Sequence, residues 1–285
     1  MRKMDLIMNE KTPKDSHYAR LRRQHRDLKN GTLSPRRQER KTITPSVVPD
    51  NMVRLYGLHT VSAALANPKR KIFRLLTTRN GLSRLENIDF RPKLKPEIVE
   101  PRDIDLLVGS DAVHQGVMLE AQPLKTRTLS QLVNSDLLIV LDQVTDPHNV
   151  GAIMRSAIAF NAGAIITTAR HSPQESGVLA KAASGALEMI DHITVKNLAQ
   201  ALQELNDIGF QTYGLDSEGP LTLETTFSGN KIALVLGAEG KGLRQKTRDS
   251  VNALARLDMP GKIKSLNVSN AAAIALYTAR TYLKQ

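Results

Sequence analysis

Three short clusters in the second half of the chain carry side chains able to act on a polar substrate. The first runs Asp142-Gln-Val-Thr-Asp-Pro-His-Asn-Val-Gly-Ala-Ile-Met-Arg155, and helical spacing sets Asn149 and Arg155 about two turns apart. The second is Gly237-Ala-Glu-Gly-Lys-Gly242, a glycine loop with Glu239 inside it. The third runs from Asp258-Met-Pro-Gly261 to Ser265-Leu-Asn-Val-Ser-Asn270. An arginine offers a permanent cationic fork to a phosphate or a developing oxyanion. A carboxylate can orient such an arginine or a ligand amine. Glycines let the backbone turn sharply and come close to a ligand. Taken singly, each residue also has an ordinary reading. Asn149 would cap a helix, Arg155 would sit in a surface ion pair, Glu239 would be a loop charge in water, and Ser265 to Asn270 would start a helix.

Several other chemistries are disfavoured. Gly237 and Gly242 are spaced like a phosphate-binding loop, but Leu243 and Arg244 follow where that loop needs Lys and then Ser or Thr. No Gly-x-Gly-x-x-Gly opens a helix, so the dinucleotide fingerprint is missing. Asp142 and Asp146 lack the further spaced ligands that would complete a metal site. With no cysteine there is no disulfide, thiolate nucleophile or zinc–thiolate site.

The elements that must position these clusters are legible in the pattern of apolar runs. Ile232 to Leu236 is continuously apolar, which predicts a buried parallel strand, and Leu254 to Leu257 is a weaker run of the same kind. Two loops leaving strand ends predict a crevice at the carboxyl edge of a sheet. Over 130–285, strands at Leu137 to Leu141, Ala164 to Thr168, Ile193 to Val195 and Phe210 to Leu215 precede those two. Helices are predicted at Asn149 to Phe160, Ser176 to Leu187, Leu198 to Ile208, near Thr247 to Asn252, and from the third cluster to the end. Such alternation predicts an α/β fold whose parallel sheet is covered on both faces. Residues 51–125 read as a smaller α/β unit, with strands at Val53 to Tyr56, Ile72 to Thr78, Ile98 to Glu100 and Val117 to Ala121. Pro123 to Thr128 reads as a linker.

The chain has 285 residues, enough for two domains, and a formal charge of +12. That charge points to a polyanionic partner, most simply nucleic acid, against the alternative of a merely basic surface. Residues 1–50 hold thirteen basic and six acidic residues, +7 of the total, with few large apolar ones. They read as a disordered basic extension, serving as a phosphate-binding arm or as a solubilising leader. Aromatic content is 4% with no Trp, so base stacking on an aromatic platform is not the expected mode. No run of eighteen apolar residues and no apolar signal region are present, which favours a soluble cytoplasmic protein without a membrane partner.

In their order and at strand ends, the three clusters resemble the three-motif pattern of the SpoU (TrmH) branch of the SPOUT RNA methyltransferases. Tyr56-Gly-Leu-His59 and His114-Gln-Gly116 are similar to the small ribosomal-protein-like, RNA-binding domain of RlmB-like 23S rRNA guanosine 2′-O-methyltransferases. The resemblance implies transfer of a methyl group from S-adenosyl-L-methionine to a ribose 2′-hydroxyl. A guanosine of 23S rRNA is favoured over tRNA as substrate. It also implies a carboxy-terminal trefoil knot and a homodimer whose chains share each site. A noncatalytic RNA-binding or ribosome-assembly factor of the same fold is the alternative. By the same resemblance Gly237, Leu257 and Leu266 contact the cofactor. The catalytic set is Asn149, Arg155, Glu239, Ser265 and Asn267, with Glu239 holding the Arg155 guanidinium and no metal.

Overall fold

Runs of β-branched and leucine residues become strands, and the small-residue and amphipathic stretches between them become helices. The structure, a computed structural model, describes residues 48–49, 51–85, 94–125 and 127–284. The expected basic extension over 1–50 lies outside the described residues, apart from Val48 and Pro49.

The first elements are β1 Val53–Tyr56, α1 Leu58–Ala66, β2 Ile72–Thr77, α2 Arg79–Ser83, β3 Glu97–Ile98, α3 Pro101–Val108 and β4 Val117–Ala121. There follow β5 Leu137–Asp142, α4 Pro147–Ala159, β6 Ala164–Thr168, α5 Gly177–Ala183, β7 Asp191–Val195, α6 Leu198–Asp207 and β8 Gln211–Leu215. The last are β9 Leu221–Thr222, α7 Leu223–Thr226, β10 Ile232–Gly237, α8 Gln245–Ser250, β11 Ala253–Arg256 and α9 Val268–Leu283. Two expectations are corrected. The helix expected over 176–187 stops at Ala183, because Ser184 and Gly185 both take left-handed backbone (φ 49° and 95°), and only a 3-10 turn at Ala186–Glu188 follows. β11 ends at Arg256, leaving Leu257 in the loop beyond it.

A four-stranded sheet has the order β1-β4-β2-β3, and a seven-stranded one the order β7-β6-β5-β10-β8-β11-β9. Every pairing in the larger sheet is parallel. Two cores cover it. Leu137, Ile139, Leu141, Ile165 and Leu234 face α4, α5 and α9, while Leu138, Val140, Ile166, Ala233 and Val235 face α6. Burial on both sides explains why these strands are apolar without alternation. The first core also takes in Leu55, Leu75 and Leu119 of the smaller sheet.

Two glycines are fixed by packing alone. A Cβ on Gly151 of α4 would come 2.5 Å from the Cβ of Ala182 and 2.7 Å from the backbone N of Ala183, so α4 and α5 meet backbone to backbone. A Cβ on Gly177 would come 2.5 Å from the carbonyl O of Arg54, which brings α5 against β1. Beside this contact Arg70 is completely buried. It donates to Glu188 and Glu175 and, at 2.9 Å, to the carbonyl of Gln122. Burial alone would lower its pKa, but Glu188 and Glu175 outweigh that and hold it above the usual arginine value. At the other end of the fold, Arg280 of α9 forks onto Asp136 at 2.6 and 2.9 Å and donates to the carbonyls of Phe160 and Asn161. Hydrogen bonding from Arg280 holds the Asp136 carboxyl below its usual pKa.

His192 in β7 gives this fold an acid sensitivity. Its Nε2 lies 3.0 Å from Thr167 Oγ1, and burial pushes its pKa from 6.5 down to about 4. A depressed histidine favours the folded state wherever the unfolded histidine is neutral. That stability is present above about pH 6.5 and is lost as pH falls towards 4. The loss amounts to roughly 2–3 kcal/mol from this residue. Urea midpoints measured from pH 7 to 4.5 should fall more steeply for the native chain than for His192→Gln. Parallel slopes would remove His192 as the cause.

Candidate active site

The chain order across the larger sheet places the site. From β5 the chain runs outward to β6 and β7, then crosses back to β8, and β10 later fills the gap between β5 and β8. The direction of winding reverses at the β5–β10 pair, the place where the carboxyl edge of such a sheet ordinarily offers a site. Asp142 ends β5 opposite Gly237, which ends β10. The first and second clusters therefore leave the sheet side by side. The third enters between them as the start of α9.

Glu239 is the hub. Its Oε1 accepts from Asn149 Nδ2 at 3.1 Å, Asn267 Nδ2 at 2.6 Å and the backbone N of Val268 at 3.2 Å. Asn267 Nδ2 also donates to Asn149 Oδ1 at 3.0 Å. Three residues separated by 28 to 118 positions are thus held in one polar knot. Glu239 is an exposed loop carboxylate, as its position suggests, but it is also bonded at the N-terminus of a 16-residue helix, where the backbone dipole favours a negative charge. Asn267 caps that helix, accepting from the backbone N and hydroxyl of Ser269 at 2.9 and 2.5 Å.

Asn149 does not cap α4. The cap is Asp146, whose carboxylate accepts from the His148 backbone N at 3.0 Å, with Pro147 opening the helix. This frees the Asn149 amide to bridge to the other two clusters. The expected Glu239–Arg155 pair is also corrected. Among the described residues Arg155 makes no hydrogen bond or ion pair and is exposed. Six helical residues turn it about 120° around α4 from Asn149, so the Glu239 oxygen is taken by Asn149, Asn267 and Val268 instead. Ser265 is exposed beside the knot and has no hydrogen bond among the described residues.

Gly237, Leu257 and Leu266 all lie on the same carboxyl edge. A Cβ on Gly237 would come 2.1 Å from the carbonyl carbon of Gly242, so this glycine lets its own loop close. The close approach is of the loop to itself, sealed by Gly242 N donating to the Ala238 carbonyl at 2.8 Å. Gly240 and Gly242 take φ of 73° and 63° and face open space. Leu257 is half-buried and Leu266 is 39% exposed. Two part-exposed leucines beside a glycine loop suit a ligand with an apolar ring and polar ends.

Asp142, Arg244 and Thr247 were not expected to work together. Asp142 is fully buried and accepts from Arg244 Nε at 2.7 Å, Arg244 N at 3.1 Å and Thr247 Oγ1 at 2.7 Å. This pin fixes where the glycine loop lands. A buried charge requires such partners. The legible signal was an aspartate ending an apolar strand, with an arginine two residues after the last glycine of the loop.

The SpoU rRNA Methylase family pattern matches residues 136–277, and that for RNA 2′-O ribose methyltransferase substrate binding matches 54–127. The chain is 36% identical over 234 residues to the 23S rRNA (guanosine-2′-O-)-methyltransferase RlmB of Pasteurella multocida, covering 78% of this chain and 95% of that one. It is 38% identical over 235 residues to the RlmB of Ralstonia nicotianae, covering 79% and 94%. Among solved structures it is similar to the SpoU methyltransferase AviRb from Streptomyces viridochromogenes in complex with AdoMet, with a TM-score of 0.69 and 20% identity over 81% of this chain and 90% of that one. An AdoMet-bound rRNA methyltransferase from Sinorhizobium meliloti gives a TM-score of 0.68 and 23% identity over 82% and 88%. These two structures speak for the fold.

Proposed function

Because the chain belongs to the SpoU rRNA methylase family, we propose that it methylates a ribose 2′-hydroxyl of a guanosine in 23S rRNA, using S-adenosyl-L-methionine. The observation that carries this reading is the Asn149–Glu239–Asn267 knot at the switch-point crevice. It brings one polar side chain from each of the three clusters to a single place, as a shared site requires.

The cofactor supplies a methyl group on a positively charged sulfur, which is a good leaving group. In the transfer an oxygen–carbon bond would form, the carbon–sulfur bond would break with the neutral thioether leaving, and the hydroxyl proton would pass to solvent. Gly237, Leu257 and Leu266 hold the cofactor at the carboxyl edge. Asn149 and Asn267 are immobilised by Glu239 and orient the ribose, and the uncommitted Ser265 hydroxyl adds a further contact. A guanidinium is a poor proton acceptor, so Arg155 is not assigned the role of base. Its role is to stabilise the developing alkoxide or to hold the neighbouring phosphate.

The position of Arg155 supports a homodimer. It lies about 120° around α4 from Asn149 and has no partner among the described residues, and we read it as serving the site of a second copy. The exposed apolar side chains of α9, Ile274 at 45% and Tyr277 at 61%, supply a face for that copy, with Tyr277 edge-on to Phe160. We also read 51–125 as the RNA-binding domain and 130–285 as the methyltransferase domain with a carboxy-terminal trefoil knot. Separate sheets and separate family matches support the division, and membership of the family supports the knot. Among the described residues no helix is long and apolar enough to cross a membrane. An rRNA substrate fits a cytoplasmic location.

The test is methyl transfer from labelled S-adenosylmethionine to unmodified 23S rRNA and, separately, to tRNA, followed by alkaline hydrolysis. A 2′-O-methyl group blocks attack on the adjacent phosphate and leaves an alkali-resistant dinucleotide. Label in that dinucleotide from 23S rRNA is the expected result. Label from tRNA alone would overturn the substrate, and no label with the cofactor bound would overturn the enzyme.

A further inference from the structure

We propose that the loop joining β6 to α5 forms a rim of the active site, and that Arg170 and His171 on it bind the sugar-phosphate backbone of the RNA beside the target ribose. This rests on the function proposed above and adds residues to it. The first observation is register. Thr167 lies opposite Leu141, Leu141 opposite Leu236, and Asp142 opposite Gly237. Thr168, Asp142 and Gly237 therefore end three successive strands at one level. With neighbouring strands about 4.8 Å apart, the loop leaving Thr168 starts about 10 Å from the glycine loop. The Asn149–Glu239–Asn267 knot is attached to the glycine loop on this same edge.

The second observation is how the loop is built. The Thr168 hydroxyl donates to the Arg170 carbonyl at 2.6 Å and lies 3.1 Å from the Ser172 hydroxyl. His171, between them, takes left-handed backbone with φ of 60°. That conformation is unfavourable for a residue with a Cβ and persists where the surroundings impose it. The two Thr168 hydroxyl contacts close the turn on either side of His171, and the Arg170 and His171 side chains are both exposed. The third observation is charge. Arg170 and His171 are exposed and, among the described residues, their side chains have no hydrogen bond or ion pair. Glu175, the acidic residue of this loop, is occupied elsewhere, by Arg70 and by the backbone N of Leu124. A cation held outward at a substrate crevice, with its local acid turned away, suits a phosphodiester.

The experiment measures equilibrium binding to a 23S rRNA transcript across a salt series, alongside steady-state methylation and S-adenosylmethionine affinity. Arg170→Ala should weaken RNA binding roughly three- to tenfold and make the salt slope shallower by about one phosphate contact. It should raise KM for RNA with kcat and cofactor affinity unchanged. Arg170→Lys should restore the slope, because charge and not shape carries this contact. His171→Gly keeps the left-handed backbone and removes only the ring, so a raised KM in this variant assigns the contact to the imidazole. RNA affinity and slope unchanged in Arg170→Ala, with native methylation intact, would overturn the rim and leave the enzyme standing. An inactive native chain would instead overturn the proposed function.

Discussion

Arg155→Ala should lower the rate of methyl transfer to 23S rRNA by about a hundred- to a thousandfold, while S-adenosylmethionine affinity stays within about twofold of the native value. The size follows from removing one preorganised cationic donor from a developing oxyanion, which is worth about 3–4 kcal/mol. The unchanged cofactor affinity follows from position. Arg155 has no partner among the described residues, and neither Glu239 nor Asp142 is bonded to it. Its removal frees no buried charge and loosens no loop. Arg155→Lys should recover part of the rate, because an ammonium keeps the charge but loses the planar fork. Turnover unchanged in Arg155→Ala would take the residue out of the mechanism.

The same variant tests the shared site. If Arg155 serves the partner's cofactor, a chain lacking Arg155 and a chain lacking Glu239 have complementary defects. Co-folded as a mixture they should regain up to about a quarter of native activity, the share of sites that one intact arginine and one intact knot can form when chains pair at random. No recovery from confirmed mixed dimers would place Arg155 in its own chain's site.

The sheet was the most legible part of the molecule, and a physical reason accounts for it. A strand buried on both faces must be apolar at every position, so Leu137 to Leu141 and Ile232 to Leu236 announce themselves. The spatial order was not legible. Nothing in Ile232 to Leu236 says that β10 inserts between β5 and β8, yet that insertion sets Gly237 beside Asp142 and so brings the first two clusters together. At the site, residue types were readable and partners were not. Asn149 looked like a cap because asparagine caps helices. Asp146 lies three residues earlier, and Pro147 fixes the helix start behind it. Glu239 looked like a partner for Arg155 because opposite charges attract. Helical geometry turns Arg155 away and leaves the carboxylate to amide and backbone donors. Asp142 was readable as a strand end but not as a buried anion, since its partners Arg244 and Thr247 lie more than a hundred residues on.

Glu239→Ala should act differently from Arg155→Ala, and the contrast separates positioning from chemistry. Three donors converge on Glu239 Oε1, and alanine leaves all of them without that acceptor. Asn149 and Asn267 would keep one bond to each other, but nothing would tie them to the glycine loop. The N-terminus of α9 would lose both a hydrogen bond and a favourable negative charge. Methyl transfer should fall about a hundredfold or more, and cofactor affinity should fall with it, by about tenfold, because the loop after Gly237 lines the same crevice. Glu239→Gln should lie between, since an amide oxygen can accept from the same donors without the charge. Non-additivity gives the sharper test. Asn149→Ala and Glu239→Ala remove two ends of one network, so the double variant should be little worse than Glu239→Ala alone. Strictly additive losses in rate, with cofactor affinity untouched, would mean that Glu239 does not organise the site.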